Sequence, residues 1–353
     1  MTDLDDIARL RELDRSDMLG AVASLPDQAR TSYAVGRALD TLPSLDGVAA
    51  VTYCGMGGSA VAGDVLRSLF RARLGVPIEV NRSPDLPGYC GPSTLVVACS
   101  YSGGTAESLD AYAEALARGC RTLVLTSGGE LAARAAAAGT PIVRVPDGLM
   151  PRAAIGHLAF GLLGALGSAG LLPRLDADVD EAIEEMERLV GDLGPDAGSE
   201  RNAAKRVAAA IGDRVPVIWG AEGFAAVAAN RWRTQWNENA KMPAFSAALP
   251  ELDHNEVVGW SEGAGRPFAV VALRETDEGP DVRTRTDLSL DIARKAGAEP
   301  VEITASGRSP LARLCSLVVL GDFASTYVGL ARGVDPTPID AITELKAALA
   351  RSA

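Results

Sequence analysis

The chain has 353 residues, with 34 Lys+Arg against 46 Asp+Glu and a net charge of −12. That length predicts two domains, each able to bury a core, and 47% hydrophobic with 23% charged residues excludes a disordered, collagenous or coiled-coil chain. The acidic balance argues against a nucleic-acid partner, which needs a basic face, so an anionic substrate has to be met locally by backbone N–H groups and a few side chains.

The opening MTDLDDIARL has no basic stretch followed by an apolar one, which predicts no secretory signal peptide. The first forty residues read as amphipathic helix with breaks at Ser24–Pro26 and Thr41–Pro43. Short β-branched runs at 48–54, 77–81, 94–99, 121–126 and 141–145 then alternate with helical stretches. In one of these, 106–119, Leu109, Tyr112 and Leu116 share a face and Gly119 supplies a C-cap. Apolar runs separated by helices predict parallel strands covered on both faces, joined by right-handed crossovers.

Residues 153–173 contain no Asp, Glu, Lys or Arg and are long enough to span a bilayer. Five glycines, His157 and Pro173 within them, and the βα units around them, favour a buried or dimer-interface helix instead, with no membrane partner. A charged helix at 178–193 follows. GPDAGSE (194–200) then predicts the domain boundary, dividing 1–193 from 194–353. The βα pattern restarts beyond it, with strands expected at 216–220, 268–275, 300–304 and 315–323. YCGMGGSAVAGDVLRS and IWGAEGFAAVAANRWR both run strand, Gly-bracketed turn, helix, and Gly55 and Gly220 are 165 residues apart, which suits an internal duplication.

Five cysteines form no CxxC, and Cys54, Cys99 and Cys315 sit inside apolar, strand-like runs, which predicts a reduced, cytoplasmic setting. The two histidines, His157 and His254, are too few for a zinc site, so neither metal nor cofactor is expected. His157 lies in an apolar helix and reads as a core residue.

Two turns carry candidate anion chemistry. Gly55-Met-Gly-Gly-Ser59 follows a strand and opens a helix, so Gly57 and Gly58 let the backbone approach a ligand and the helix N-terminus favours an anion. A plain packing turn is the competing reading, while a dinucleotide site lacks the G-x-G-x-x-G spacing. Ser100-Tyr-Ser-Gly-Gly-Thr105 offers three hydroxyls at another strand end; Thr105 also suits a helix cap, but capping does not call for Ser100 and Ser102. On successive strands of one sheet, the two turns predict one phosphate crevice.

Acid–base candidates lie further on. Glu238, in Trp236-Asn-Glu-Asn-Ala-Lys241, falls near a helix C-terminus whose dipole favours the protonated carboxyl, with Lys241 opposing it; the competing reading is a solvated helix end. His254 sits in an acid-rich loop, Glu251 to Trp260, a setting for a protonatable imidazole.

GMGGSAVAGD, SYSGGTAES, PRAAIG, WNENAKMP, LDHNEVVGW and VDPTPIDAITELKAAL, in that order, resemble the bifunctional phosphoglucose/phosphomannose isomerases, from about residue 45 to the C-terminus. The resemblance implies an α/β fold of two SIS (sugar isomerase) subdomains, each a parallel sheet flanked by helices in a flavodoxin-like three-layer α/β/α arrangement. It implies a phosphate loop of Ser59, Ser100, Ser102 and Thr105, and Arg152 steadying an enediolate. It further implies Glu238 as catalytic base, and His254 and Lys346 in sugar-ring opening. A homodimer with His254 reaching the other subunit's site is implied as well.

The reaction implied is metal-independent interconversion of glucose 6-phosphate and/or mannose 6-phosphate with fructose 6-phosphate through a cis-enediol. The alternative is a SIS protein that binds a sugar phosphate without turning it over. The phosphate loop reads Ser-Gly-Gly-Thr where many relatives have Ser-Gly-Asn-Thr. In the family a small hydroxyl residue, in place of glutamine before the C-terminal lysine, goes with mannose 6-phosphate use; Thr337, Ile339 and Thr343 all precede Lys346 here.

Overall fold

A computed structural model describes residues 2–352; Met1 and Ala353, the outermost residues of the two expected subdomains, lie outside them. Three helices lead the chain: α1 (Ile7–Leu13), α2 (Met18–Ala23) and α3 (Leu25–Arg37). Pro26 does not end a helix but stands in the first turn of α3, where its missing N–H costs nothing.

The first sheet is built from β1 (Ala50–Cys54), α4 (Gly58–Phe70), β2 (Ile78–Asn81), β3 (Thr94–Cys99), α5 (Ala106–Ala117), β4 (Arg121–Thr126), α6 (Gly129–Ala138) and β5 (Ile142–Arg144). Its strands are all parallel, in the order β2-β1-β3-β4-β5, the flavodoxin-like arrangement. Alternate side chains serve opposite faces. Val51, Tyr53, Leu95, Val97 and Cys99 join a large cluster with Val61, Ala62 and Val65 of α4, whereas Val96 and Ala98 meet Ala111, Ala115 and Tyr112 of α5 on the other face. The buried stripe of α5 is therefore Ser108, Ala111, Tyr112 and Ala115, and Leu116, expected to share it, is exposed.

A short 3-10 turn at Pro151–Ala153 leads into α7 (Ile155–Ser168), followed by α8 (Asp176–Leu193) and α9 (Ala203–Ile211). The uncharged stretch is thus a 14-residue helix, short for a bilayer span, and its residues from Ile155 to Leu166 are buried. Its glycines let α3 close in: a Cβ at Gly36 would stand 2.2 Å from the Gly161 carbonyl oxygen. His157 is buried there with Nδ1 2.8 Å from Ser32 Oγ, and burial lowers its pKa to about 4, so it stays neutral as a core residue.

The second sheet comprises β6 (Val215–Ala221), α10 (Phe224–Asn239), β7 (Phe245–Leu249), β8 (Phe268–Arg274), α11 (Pro280–Lys295) and β9 (Val301–Thr304), again all parallel, in the order β7-β6-β8-β9. One face, with Val217, Trp219, Val270 and Ala272, packs on Leu290 and Ala293 of α11; the other, with Ile218, Ala269 and Val271, joins the large cluster shared with the first half.

One strand expectation is corrected. Residues 315–323 are not a strand but the middle of α12 (Pro310–Ala331), buried along its length. A helix buried on all sides loses its polar face, so a run such as LVVL has no periodicity to separate it from a parallel strand. By length and composition α12 would suffice to cross a membrane, but here it is packed inside the protein. The chain ends in α13 (Asp340–Ser352). All five cysteines are buried and free.

Candidate active site

Both expected anion turns lie where the strand order reverses. β1 is bonded to β2 on one side and β3 on the other, and α4 and α5 leave on opposite faces, so the carboxyl ends of β1 and β3 frame a crevice. The register keeps those ends level, with Cys54 opposite Ala98. Ser59 Oγ accepts the backbone N–H of Tyr101 at 3.1 Å and ties the two turns together.

Neither α4 nor α5 has a side-chain cap at its N-terminus, which directs two sets of backbone N–H groups at the crevice. Thr105, expected as a possible cap, instead holds its hydroxyl 2.8 Å from Ser100 Oγ. Ser102 Oγ accepts the Gly104 N–H at 3.4 Å, and Gly57, Ser102 and Gly104 face solvent.

The first turn also reaches Arg152. A Cβ at Gly58 would stand 2.8 Å from the Pro151 carbonyl oxygen and 3.0 Å from Arg152 Cα, so glycine allows the turn to touch the segment that carries the arginine. The Arg152 side chain is only 2% exposed. Nε donates to Asn239 Oδ1 at 2.7 Å, Nη1 to Glu238 Oε2 at 3.4 Å, and Nη2 to the carbonyls of Pro336 at 2.9 Å and Thr337 at 3.0 Å. Burial works against its charge and the neighbouring Glu238 offsets this. Glu238, 27% exposed, is held by this one long contact, well beyond the usual 2.7–2.9 Å of a charge-assisted bond, so its carboxylate can swing toward a ligand.

Helix α10 aligns the groups that hold this arrangement. Arg231, Gln235 and Asn239 recur every four residues along one face. Arg231 and Asp322 form a pair at 2.5 Å with both side chains 1% exposed, Gln235 donates to Asp322 at 2.9 Å, and Arg231 Nη2 donates to the Arg152 carbonyl at 2.8 Å. Asn239 Nδ2 donates to Ser325 Oγ at 3.0 Å. Lys241 Nζ donates to the Pro336 carbonyl at 2.7 Å and to that of Glu238, and burial, with the charge of Arg152, brings its pKa down to about 8. Its φ of 52° is rare for a residue with a side chain and places backbone strain beside Glu238.

Sequence reasoning missed Arg231, Asp322, Asn239 and the second role of Lys241; the Asn–Glu–Asn triplet was the available signal. Thr337, one of three candidates ahead of Lys346, is the one beside Arg152, and its buried hydroxyl has no hydrogen-bond partner among the described residues. Thr343 instead donates to the Ile339 carbonyl on exposed α13.

Two expected residues are not brought to the Arg152–Glu238 pair within one chain. His254 is exposed at the end of a 3-10 turn, Glu251–His254, beyond β7, and Lys346 is exposed on α13. The segment beyond β8 in the second half differs in kind: it carries Glu275, Asp277 and Glu278, of which Asp277 pairs with Arg313 and the 4% exposed Glu278 with Arg274, while burial with the nearby Asp277 raises Glu275 to about 7. Among the described residues no three His, Cys, Asp or Glu side chains group to hold a metal.

Two parallel sheets, one with hydroxyl-lined turns at its switch point and an arginine–carboxylate pair alongside, define a protein of the SIS class. A family model of the bacterial phospho-glucose isomerase C-terminal SIS domain matches residues 200–349. The chain is similar to the bifunctional phosphoglucose/phosphomannose isomerase of Caldicellulosiruptor bescii, 35% identical over 335 residues, covering 94% of this chain and 99% of that one. Its similarity to the protein of the same name from Aquifex aeolicus is 33% over 305 residues, covering 86% and 91%. A solved structure of a glucose-6-phosphate isomerase like protein from Thermus thermophilus shares the fold, with a TM-score of 0.60 at 20% identity over 95% of each chain. The chain belongs to the bifunctional phosphoglucose/phosphomannose isomerase family.

Proposed function

We propose that this phosphosugar isomerase interconverts glucose 6-phosphate and/or mannose 6-phosphate with fructose 6-phosphate through a cis-enediol, without a metal or cofactor. The observation that carries the reading is the Glu238 carboxylate 3.4 Å from buried Arg152, whose backbone in turn packs on the Gly58 turn. The sugar phosphate sits against Gly57, Gly58 and the hydroxyls of Ser59, Ser100, Ser102 and Thr105. Glu238 removes the C2 proton of the open-chain aldose and returns it to C1, as the O1 carbonyl becomes a hydroxyl and the C2 hydroxyl a carbonyl. Arg152 commits four of its five N–H donors to protein oxygens, and the remaining one faces the developing oxyanion. The two aldoses differ only at C2 and share one enediol, so a single carboxylate serves both where the pocket admits either hydroxyl. We assign that tolerance to Thr337, the small residue beside Arg152 whose hydroxyl has no partner among the described residues.

Ring opening requires His254 and Lys346, and we place them at the site in a homodimer, His254 coming from the partner. Support comes from the apolar stripe Ile342, Leu345 and Leu349 along α13, the last two 60% exposed, and from exposed Val258 in the turn that follows His254. The boundary at 193/194 and a cytoplasmic setting belong to the same reading. The non-catalytic alternative gains nothing from the site, because binding alone does not call for a carboxylate against a buried guanidinium.

The test is a coupled assay of glucose 6-phosphate and mannose 6-phosphate side by side, with excess EDTA. Turnover of at least one sugar, unchanged by the chelator, is expected. Activity lost to EDTA and restored by zinc would contradict the metal-independent mechanism.

A further inference from the structure

Helices α4 and α10 are the corresponding helices of the two halves, and they run antiparallel. The start of α4, at Gly58, and the end of α10, at Asn239, both meet Arg152, while Arg71, just past the end of α4, pairs with Glu222, just before α10, at 2.7 Å. At that second end a cleft of about 360 Å³ opens between them. From Gly58 to Arg71 is about 20 Å along the helix at 1.5 Å per residue, so the Arg71 end of the cleft lies away from the phosphate turns, while Asp64 and Arg82 line the end nearer to them.

Asp64, Arg67 and Arg71 line it from one face of α4, Arg82 enters from the end of β2, and Arg233 comes from α10. Arg67 and Arg82 share Asp64, and Arg71 has Glu222. Among the described residues Arg233 has no carboxylate; its Nε and Nη2 both donate to the neutral Asn230 Oδ1, at 3.2 and 2.8 Å. Four guanidinium groups thus face two carboxylates, and two positive charges are left over in one concave place on a chain of net charge −12. They divide between two pairs, Arg67 with Arg82 and Arg71 with Arg233, each pair containing one carboxylate. The planar fork of arginine matches phosphate oxygens, and Glu222 and Asp64 pair with side chains 59% and 43% exposed that are able to turn to a ligand.

We propose that this cleft is a second anion site, taking a small solute with two linked phosphate groups, one for each arginine pair. Bound there, the solute bridges the two helices whose other ends carry Gly58 and Glu238. The proposal does not rest on the catalytic reading.

Isothermal titration calorimetry with inorganic pyrophosphate tests it on three full-length proteins: wild type, Arg71→Gln/Arg233→Gln, and Ser100→Ala/Thr105→Val. Wild type is expected to bind pyrophosphate in the cleft with an affinity that falls as salt rises. The arginine variant should lose at least about tenfold at that site, the size of one lost charge-assisted bond, with an unaltered thermal midpoint; the turn variant should keep it. The single variant Arg233→Gln breaks no ion pair and should show the same loss in smaller measure. The proposal is overturned if wild type binds no pyrophosphate, if the arginine variants bind it as tightly as wild type, or if the turn variant abolishes all binding.

Discussion

Arg152 and Glu238 stand 3.4 Å apart although they are 86 residues distant in sequence and belong to elements associated with different sheets. Arg152 is fixed on three protein oxygens apart from Glu238, those of Asn239, Pro336 and Thr337, and Glu238 is held by little besides Arg152. That asymmetry suits their proposed parts: a rigid cation over a developing charge, and a carboxylate that has to reach two carbons in succession.

On the proposed reading, the contact of Gly58 with Arg152 couples substrate grip to chemistry. In Gly58→Ala the new Cβ, 2.8 Å from the Pro151 carbonyl oxygen, pushes the arginine-bearing turn aside. A displacement of that kind costs roughly 10²-fold in turnover. Steady-state kinetics should show the loss mainly in kcat, with the circular dichroism spectrum of wild type.

Residues from two subunits are expected in each site. Glu238→Gln and His254→Ala homodimers should each be nearly inactive. Unfolding and refolding them as an equal mixture should restore up to roughly a quarter of wild-type activity, because half the dimers then contain one complete site. No recovery in the mixture, with dimers verified by light scattering, would place His254 outside the neighbouring site.

Glu275 gives a pH signature in stability. Its folded pKa is raised to about 7 from 4.5, so between those values the folded chain holds a proton that the unfolded chain has released. Stability therefore falls as pH rises through that window, and the penalty is complete above pH 7. Glu275→Gln should melt roughly 2–4 °C above wild type at pH 8, and the two melting curves should converge near pH 4.

Much of this was legible in the chain. The β-branched runs gave eight of the nine strands among the described residues because fully buried parallel strands are short, apolar and bounded by Gly, Pro or Ser. β7 carries no such signal, since Phe-Ser-Ala-Ala-Leu has no β-branched residue and sits at a sheet edge. Residues 315–323 misled in the opposite direction, yet Ser309-Pro310 carried a helix signal: Ser309 Oγ accepts the Ala312 N–H at 3.1 Å, with Pro310 in the first turn. At the site, hydroxyls on strand ends are local features and could be read directly. Arg152 was reached through the family resemblance alone, and the support from Arg231, Asp322 and Asn239 depends on the packing of α10 against α12, which no local pattern encodes.

The central claim is that Glu238 moves the proton. Its most direct test is to incubate wild type and Glu238→Gln with fructose 6-phosphate in D₂O and follow deuterium at C1 of the ketose and C2 of the aldose by NMR. Wild type should exchange solvent deuterium into these positions; the variant should lose the exchange by roughly 10²–10⁴ while still binding the sugar phosphate by calorimetry. Exchange at the wild-type rate in Glu238→Gln would assign the proton transfer to another group.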